Sequence, residues 1–328
     1  MQSTKMAAIQ EALQVADSIL VVTHIGPDGD ALGSLTAVGQ VLKQLDKAVT
    51  LMCDDDIPSR FRYLHLTDEI VRQPAPMQKF DLVLSVDCGD EYRMGEQFPP
   101  YLQNSNRSIN IDHHVTNTLF ADINLVDGQA TSTTEILYEF FVTLGVKIDQ
   151  DLAMSLLTGL VTDTLGFRTV GVTAQTMRIV SELMAAGADL SLITMKSLNL
   201  KPLSTLRLWR TGLNHMQLKG GLLWVVINKQ ERRDAGHIGD SSHGLVNLLA
   251  DVHDVSMGAV LLEMNDGSVR VGFRCRPPYN VADVAVDLGG GGHALAAGCT
   301  LNMPLDEAES LGVSRCHAAI TTHTAPVS

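Results

Sequence analysis

Short apolar runs alternate with longer stretches of helically spaced apolar residues through the first half of the chain. Ser18 to Val22 (SILVV), Ala48 to Met52 (AVTLM), Asp81 to Val86 (DLVLSV) and Ser108 to Ile111 (SINI) are rich in β-branched residues and too short for helices, which predicts buried parallel strands. Ala31 to Leu45, Asp151 to Val161 and Ala174 to Ala186 show helical spacing, the last closed by Gly187. Ser132 followed by Glu135 is a capping-box signature for a further helix running towards Leu144. The alternation is that of βαβ units, and parallel sheets of this kind place ligands at the carboxyl ends of their strands.

The rhythm changes after Gly187. Residues 188–219 are helical in pattern without a strand signal and carry Lys201, Arg207 and Arg210. A second unit starts at Gly221 to Ile227 (GLLWVVI) and continues with a helix in HGLVNLLADV. Two strands follow, GAVLLEM and SVRVGFRC, joined in hairpin fashion at Asn265-Asp266-Gly267, then a helix near Val281 to Leu288 and the run GGGGHALAAG from Gly289 to Gly298. The tail TTHTAPVS is expected to fray. The expected fold is α/β: a parallel-sheet N-terminal domain over residues 1–187, a helical linker over 188–219 and a smaller α/β C-terminal domain over 220–328.

Composition narrows the function. The 328 residues are 45% hydrophobic, enough for a substantial core, and no apolar run is long enough to cross a bilayer. The first twenty residues have the spaced apolar positions of an amphipathic helix and no secretion-signal pattern, so a cytoplasmic protein is expected. The cysteines, Cys53, Cys88, Cys275, Cys299 and Cys316, are odd in number and include no C-x-x-C pair, which fits free thiols in a reducing compartment. A net charge of -13 argues against a broad basic surface tracking long nucleic acid. It leaves room for a small phosphorylated ligand, because bound cations would locally reverse the field.

His24, Asp28 and Asp30 crowd into the residues just after the first apolar run, Asp87 ends the strand DLVLSV, and Asp112, His113 and His114 end SINI. Asp163, in VTDTLGF, closes a helical run and can reach the same edge. Taken alone, HIGPDGD also suits a tight turn, and DHH by itself says less; the joint placement at successive strand ends is what favours a metal site. Carboxylates and imidazoles without thiolate suit Mn²⁺ or a similar borderline cation, and the set exceeds the needs of one ion that keeps open positions. A pair of ions about 3.5–4 Å apart is the economical reading. His65, His215, His237, His253, His317 and His323 lack such partners and are read as surface or core residues.

In the second domain, Gly289, Gly290, Gly291 and Gly292 followed by His293 give a backbone that can approach a phosphate closely, although such a run also makes a plain flexible turn. Arg274 on the neighbouring strand can grip a phosphate in bidentate fashion, or remain a surface residue. Ser242, with His243 and Gly244, precedes a helix and serves either as a cap or as an anion contact.

In this order, HIGPDGDALGS, VDCGD, IDHHVTN and TDTLGF resemble the four motifs of the DHH phosphoesterase superfamily, and GFRC with GGGGHALAAG resembles its DHH-associated C-terminal domain. The similarity spans nearly the whole chain and is greatest to the NrnA-type oligoribonucleases, which also remove the 3'-phosphate of pAp. The resemblance implies one Mn²⁺ on His24, Asp28 and Asp87 and a second on Asp30, Asp87, His113 and Asp163, with Asp87 bridging, His114 facing the substrate and Asp112 orienting an imidazole. It implies a Mn²⁺-dependent phosphodiesterase, other divalent cations being compatible, that degrades short RNA to mononucleotides and dephosphorylates pAp. A homodimer is compatible with it, whereas long duplex nucleic acid and membranes are not expected partners. Leu165 and Cys275 depart from the family pattern. A cyclic dinucleotide phosphodiesterase acting on c-di-AMP or pApA would use the same chemistry. An inorganic pyrophosphatase is disfavoured by GGGGH and the lone Arg274, and a catalytically inactive nucleotide-binding regulator by the filled metal positions.

Overall fold

The computed structural model describes residues 2–75, 78–237, 239 and 241–324, which form two compact units, Met1–Leu200 and Lys201–Ser328. The first unit opens with α1 (Gln2–Val15), β1 (Ser18–Val22), α2 (Gly29–Gln44), β2 (Ala48–Met52) and β3 (Leu82–Val86). It continues with α3 (Pro99–Gln103), β4 (Arg107–Asp112), β5 (Ile123–Val126), α4 (Thr133–Thr143), α5 (Gln150–Asp163), α6 (Ala174–Ala185) and α7 (Leu190–Thr194). The sheet is parallel throughout and ordered β2-β1-β3-β4-β5. The order reverses direction between β1 and β3, and the crevice outside such a switch point is where open parallel sheets bind ligands.

The predicted strands and helices of this unit are present, β1 and β2 with the expected bounds and the others with ends shifted by one or two residues. β5 was not anticipated: its four residues lie at the sheet edge with one fully buried side chain, too little apolar signal to read in advance. Helix α1 buries Ile9, Ala12 and Leu13, the i, i+3, i+4 face of an amphipathic helix. The capping box at α4 is half formed. Ser132 Oγ accepts the Glu135 N–H at 3.1 Å, but the Glu135 carboxylate turns to the N–H and hydroxyl of Thr131 and to Thr176.

Helix α2 is buried on every side from Gly29 to Leu42 and lies against α5 through glycine. A Cβ on Gly33 would stand 2.5 Å from the Ser155 carbonyl, and one on Gly159 2.3 Å from Asp30 Oδ1. Two of the polar side chains trapped there are paired across the helices: Thr36 Oγ1 and Gln40 Nε2 each lie 2.9 Å from Ser155 Oγ.

Residues 188–219 divide between the units. Ile193 in α7 belongs to the first core, and a π-helical turn, Met195–Asn199, follows. Helix α8 (Leu203–Asn214) buries Leu208 in the second. That unit contains β6 (Gln217–Lys219), a strand where none was expected, then β7 (Leu222–Ile227), α9 (Lys229–Asp234), α10 (Leu245–Ala250), β8 (Met257–Glu263) and β9 (Val269–Cys275). It ends with α11 (Val281–Asp287), β10 (Gly291–His293), β11 (Ala296–Leu301) and α12 (Leu305–Thr324). The sheet order is β10-β11-β9-β8-β7-β6, with β7 and β8 parallel and the other pairs antiparallel.

Alternate residues of β7 go to opposite faces: Leu222 and Trp224 to a core shared with α11 and α12, Leu223, Val225 and Ile227 to one shared with α8 and α10. The Asn265-Asp266-Gly267 turn closes as expected, with Gly267 at φ 87°. The expected frayed tail is corrected: Thr321 to Thr324 extend α12, while Ala325 to Ser328 and the side chain of His323 lie outside the described residues. Among the described residues no helix is long and apolar enough to cross a membrane.

Gly33→Ala is expected to lower stability by about 1–3 kcal/mol, because the methyl meets backbone that cannot step aside. Gly312→Ala in α12, where a methyl meets nothing within 4 Å, is expected to be neutral or stabilising by up to ~1 kcal/mol. Thermal midpoints check the pair, and equal midpoints would contradict the glycine-mediated approach of α2 and α5.

Candidate active site

The turn after β1 carries His24, whose Nε2 lies 3.9 Å from Asp28 Oδ1 and 3.5 Å from Asp87 Oδ2. Asp28 is the N-cap of α2 and accepts the N–H groups of Asp30 and Ala31. Asp30, in the first turn, is fully buried, and its two oxygens accept the N–H groups of Thr133 (2.6 Å) and Thr134 (3.0 Å) at the start of α4. Asp87 follows β3 at φ 60°, a left-handed conformation uncommon outside glycine and tolerated best by Asp and Asn. Its Oδ1 accepts the Thr133 hydroxyl at 2.9 Å and faces away from His24 towards His113 Nε2, 3.7 Å distant. His113 Nε2 also lies 3.9 Å from Asp30 Oδ2 and 3.2 Å from Asp163 Oδ2, at the end of α5.

The candidate ligands therefore gather into His24, Asp28 and Asp87 on one side and Asp30, His113 and Asp163 on the other, with the ligand atoms of each group within 4.8 Å of one another. Asp87 turns one oxygen to each group. His114 approaches the same carboxylate, its Nδ1 3.8 Å from Asp87 Oδ1 and 2.7 Å from Asp112 Oδ1. The other Asp112 oxygen accepts from Asn117 Nδ2 at 2.6 Å, which fixes the carboxylate and leaves Nε2 as the titratable nitrogen of His114 not engaged by Asp112.

The electrostatics are those of a cation site. Burial pushes the Asp30 carboxyl well above its ordinary range, and the charges of Asp87 and Asp163 add to that. Burial and the charges of Asp28 and Asp87 also raise Asp163, to about 6, against the hydrogen bond from His113. Asp87 behaves oppositely: burial would raise it, but the hydrogen bond from His24 and the neighbouring imidazoles hold it at about 2. Burial lowers His113, yet its bond to Asp163 and the facing charges of Asp30 and Asp87 carry it to about 10. The donors are oxygen and imidazole nitrogen only. Cys88 is adjacent, but burial raises its thiol well above the ordinary value, and it bonds to the Val86 carbonyl. Such a set fits divalent cations that accept both carboxylate and imidazole.

In the second unit, a cavity of about 540 Å³ is lined by Ser242, Arg270, Arg274, Gly290, Gly298 and Thr300, among others. Ser242, Arg274 and Gly290 are thus brought together. Gly291, Gly292 and His293 form the exposed strand β10 outside that lining. Glycine is a structural requirement here, since a Cβ on Gly290 would stand 2.2 Å from the Gly298 carbonyl and one on Gly292 2.6 Å from that of Ala296. Ser242 does not cap α10, whose N-cap is Gly244 without a side-chain bond. Cys275 points to the opposite face from Arg274, into the core, with Sγ on the Tyr279 and Ala294 carbonyls.

The sequence reading missed Thr133, Thr134 and Asn117, which hold Asp30, Asp87 and Asp112, and missed Arg270 in the cavity. The two threonines act chiefly through backbone N–H groups, which no residue type announces. Asn117 ends the IDHHVTN motif, and its amide close behind Asp112 was the available signal.

A parallel sheet carrying two Asp/His groups that share one carboxylate, followed by a mixed sheet with an arginine and a glycine hairpin, defines a DHH-type phosphoesterase. The DHH family, N-terminal domain, matches residues 18–160, and the DHHA1 domain matches residues 225–311. The chain belongs to the DHH family. It is 31% identical over 308 residues to the bifunctional oligoribonuclease and PAP phosphatase NrnA of Thermus thermophilus, covering 93% of this chain and 91% of that one. It is 24% identical over 313 residues to the protein of the same name from Bacillus subtilis, covering 91% and 94%. An exopolyphosphatase-related protein from Bacteroides fragilis shares the fold, with a TM-score of 0.89 at 24% identity over 98% of this chain and 96% of that one.

Cation binding to the metal-free protein is expected to release protons. His113 is protonated up to about pH 10 and must give up its proton to ligate, so affinity should rise as pH rises from 6 to 9. Titration calorimetry in buffers of different ionisation enthalpy measures the release, and heats independent of buffer would contradict this electrostatic account.

Proposed function

We propose that the chain hydrolyses phosphoesters of short nucleotides, degrading RNAs of a few residues to mononucleotides and removing the 3'-phosphate of pAp, with two Mn²⁺ ions. The observation that carries this reading is the division of Asp87 between two ligand groups, and the names of the relatives support the substrate class. His24, Asp28 and Asp87 would hold one ion and Asp30, Asp87, His113 and Asp163 the other. Bound divalent cations polarise phosphoryl oxygens and lower the pKa of an attacking water. Mn²⁺ is favoured over Mg²⁺ because His24 and His113 contribute imidazole, which Mg²⁺ seldom accepts.

The protein supplies the rest. His114, anchored at Nδ1 by Asp112, delivers the proton to the leaving oxygen from Nε2. Asp112, itself pinned by Asn117, keeps that ring in one orientation. Arg274, Ser242 and Gly290 would bind a phosphate of the nucleotide being held. Glycine-rich Gly291 and Gly292 shape the hairpin, and His293 on it is free to meet a base.

Asp87→Asn is expected to abolish turnover almost completely while cooperative unfolding is retained, since Asn accepts the same left-handed backbone. An active variant would overturn the shared-carboxylate assignment. With Mn²⁺, a 5-mer RNA is expected to be cut faster than a 24-mer and pAp to release phosphate. Binding should depend only weakly on salt, because 24 Lys and Arg against 37 Asp and Glu leave little cationic surface for a long strand. Chromatographic resolution of the products, with c-di-AMP and pyrophosphate as further substrates, tests the reading. Preference for the 24-mer, or for the cyclic dinucleotide, would replace it.

A further inference from the structure

His24 has a second neighbour that the ligand groups do not explain. Its Nδ1 lies 2.8 Å from the Ile25 carbonyl and 3.4 Å from a terminal nitrogen of the Arg93 guanidinium. A carbonyl only accepts, so Nδ1 carries a hydrogen, while Nε2 is the nitrogen that faces Asp28 and Asp87. The guanidinium therefore gains no acceptor from His24. Among the described residues no carboxylate forms an ion pair with it.

The backbone that carries this exposed cation is nevertheless well anchored. Arg93 lies in a 3₁₀ turn, Glu91–Met94, capped by Asp90, whose carboxylate accepts the Tyr92 and Arg93 N–H groups. The Arg93 carbonyl accepts the Ile25 N–H at 2.7 Å, tying the turn to the loop that carries His24. Beyond it, Asp54 accepts the N–H groups of Glu96 and Gln97, and Asp55 accepts that of Gly26. A guanidinium fork on an anchored turn beside the imidazole of His24, with no carboxylate paired to it among the described residues, suits a tetrahedral oxyanion.

We propose that Arg93 binds a non-bridging oxygen of the phosphate undergoing hydrolysis, so that the first unit has its own phosphate clamp in addition to the cavity residues of the second. The inference rests on the phosphoesterase reading above. The competing role, offsetting the carboxylate excess, makes an opposite prediction: removing a cation beside a cation site would then strengthen metal binding and leave nucleotide affinity governed by the metal.

The test is binding of pAp to the full-length protein loaded with Ca²⁺ to slow turnover, measured by calorimetry for the parent, Arg93→Ala and Arg93→Lys, with bound metal measured by mass spectrometry. Arg93→Ala should weaken pAp binding about 10- to 100-fold at unchanged metal content, the scale of a lost charge-assisted contact. Arg93→Lys should recover part of the loss, keeping charge without the fork. Both variants keep the backbone bonds that fix the turn. Equal pAp affinity in Arg93→Ala and the parent, or a loss that only follows lost metal, overturns the inference alone. A parent that neither binds nor hydrolyses pAp overturns the functional reading with it.

Discussion

Asp30 and Asp87 are buried and Asp163 half-buried, and all three carboxylates lie within 4 Å of the single His113 Nε2, so the first unit is organised around making that crowding of charge tolerable. Repulsion between like charges in a buried place is met either by protonation or by donors and cations fixed in advance. This protein uses fixed donors first. The free N–H groups at the start of α4 close on Asp30, the Thr133 hydroxyl closes on Asp87, and imidazoles stand between the carboxylates. The remaining negative charge is what a divalent cation is bound by.

Helix packing delivers those groups to one place. Asp30 and Asp163 sit at opposite ends of α2 and α5, and they meet because the helices approach through Gly33 and Gly159. A methyl at Gly159 would strike the Asp30 carboxylate itself, so the same glycine that sets the packing leaves room for the ligand. The strand order contributes the other half, since β1 and β3 are neighbours and their ends put His24 beside Asp87.

The residues proposed to handle the proton and the phosphate, His114 and Arg93, are held by short polar tethers beside the candidate metal ligands. Asn117 to Asp112 to His114 forms one such line, and Asp90 to the Arg93 turn to the His24 loop forms another. Each line acts on its last side chain through hydrogen bonds within the protein, so changes at Asn117 or Asp90 should act through position rather than charge.

The alternation of β-branched runs and helical spacing determined the parallel sheet and, with it, the edge on which His24, Asp87 and His113 had to appear, because side chains that follow successive parallel strands share one end of the sheet by geometry. Residue type likewise determined the oxygen and imidazole character of the ligand set. The strand β5, the length of α12, the exposure of Gly291 to His293 and the burial of Cys275 were decided by packing, which local patterns report only when a face is wholly apolar. The tertiary structure alone paired Thr133 and Thr134 with Asp30, gave one Asp87 oxygen to each group and set Arg93 against His24. Those contacts join segments far apart in the chain, several of them through backbone N–H groups that every residue but proline possesses, so only the distances of the folded state could single them out.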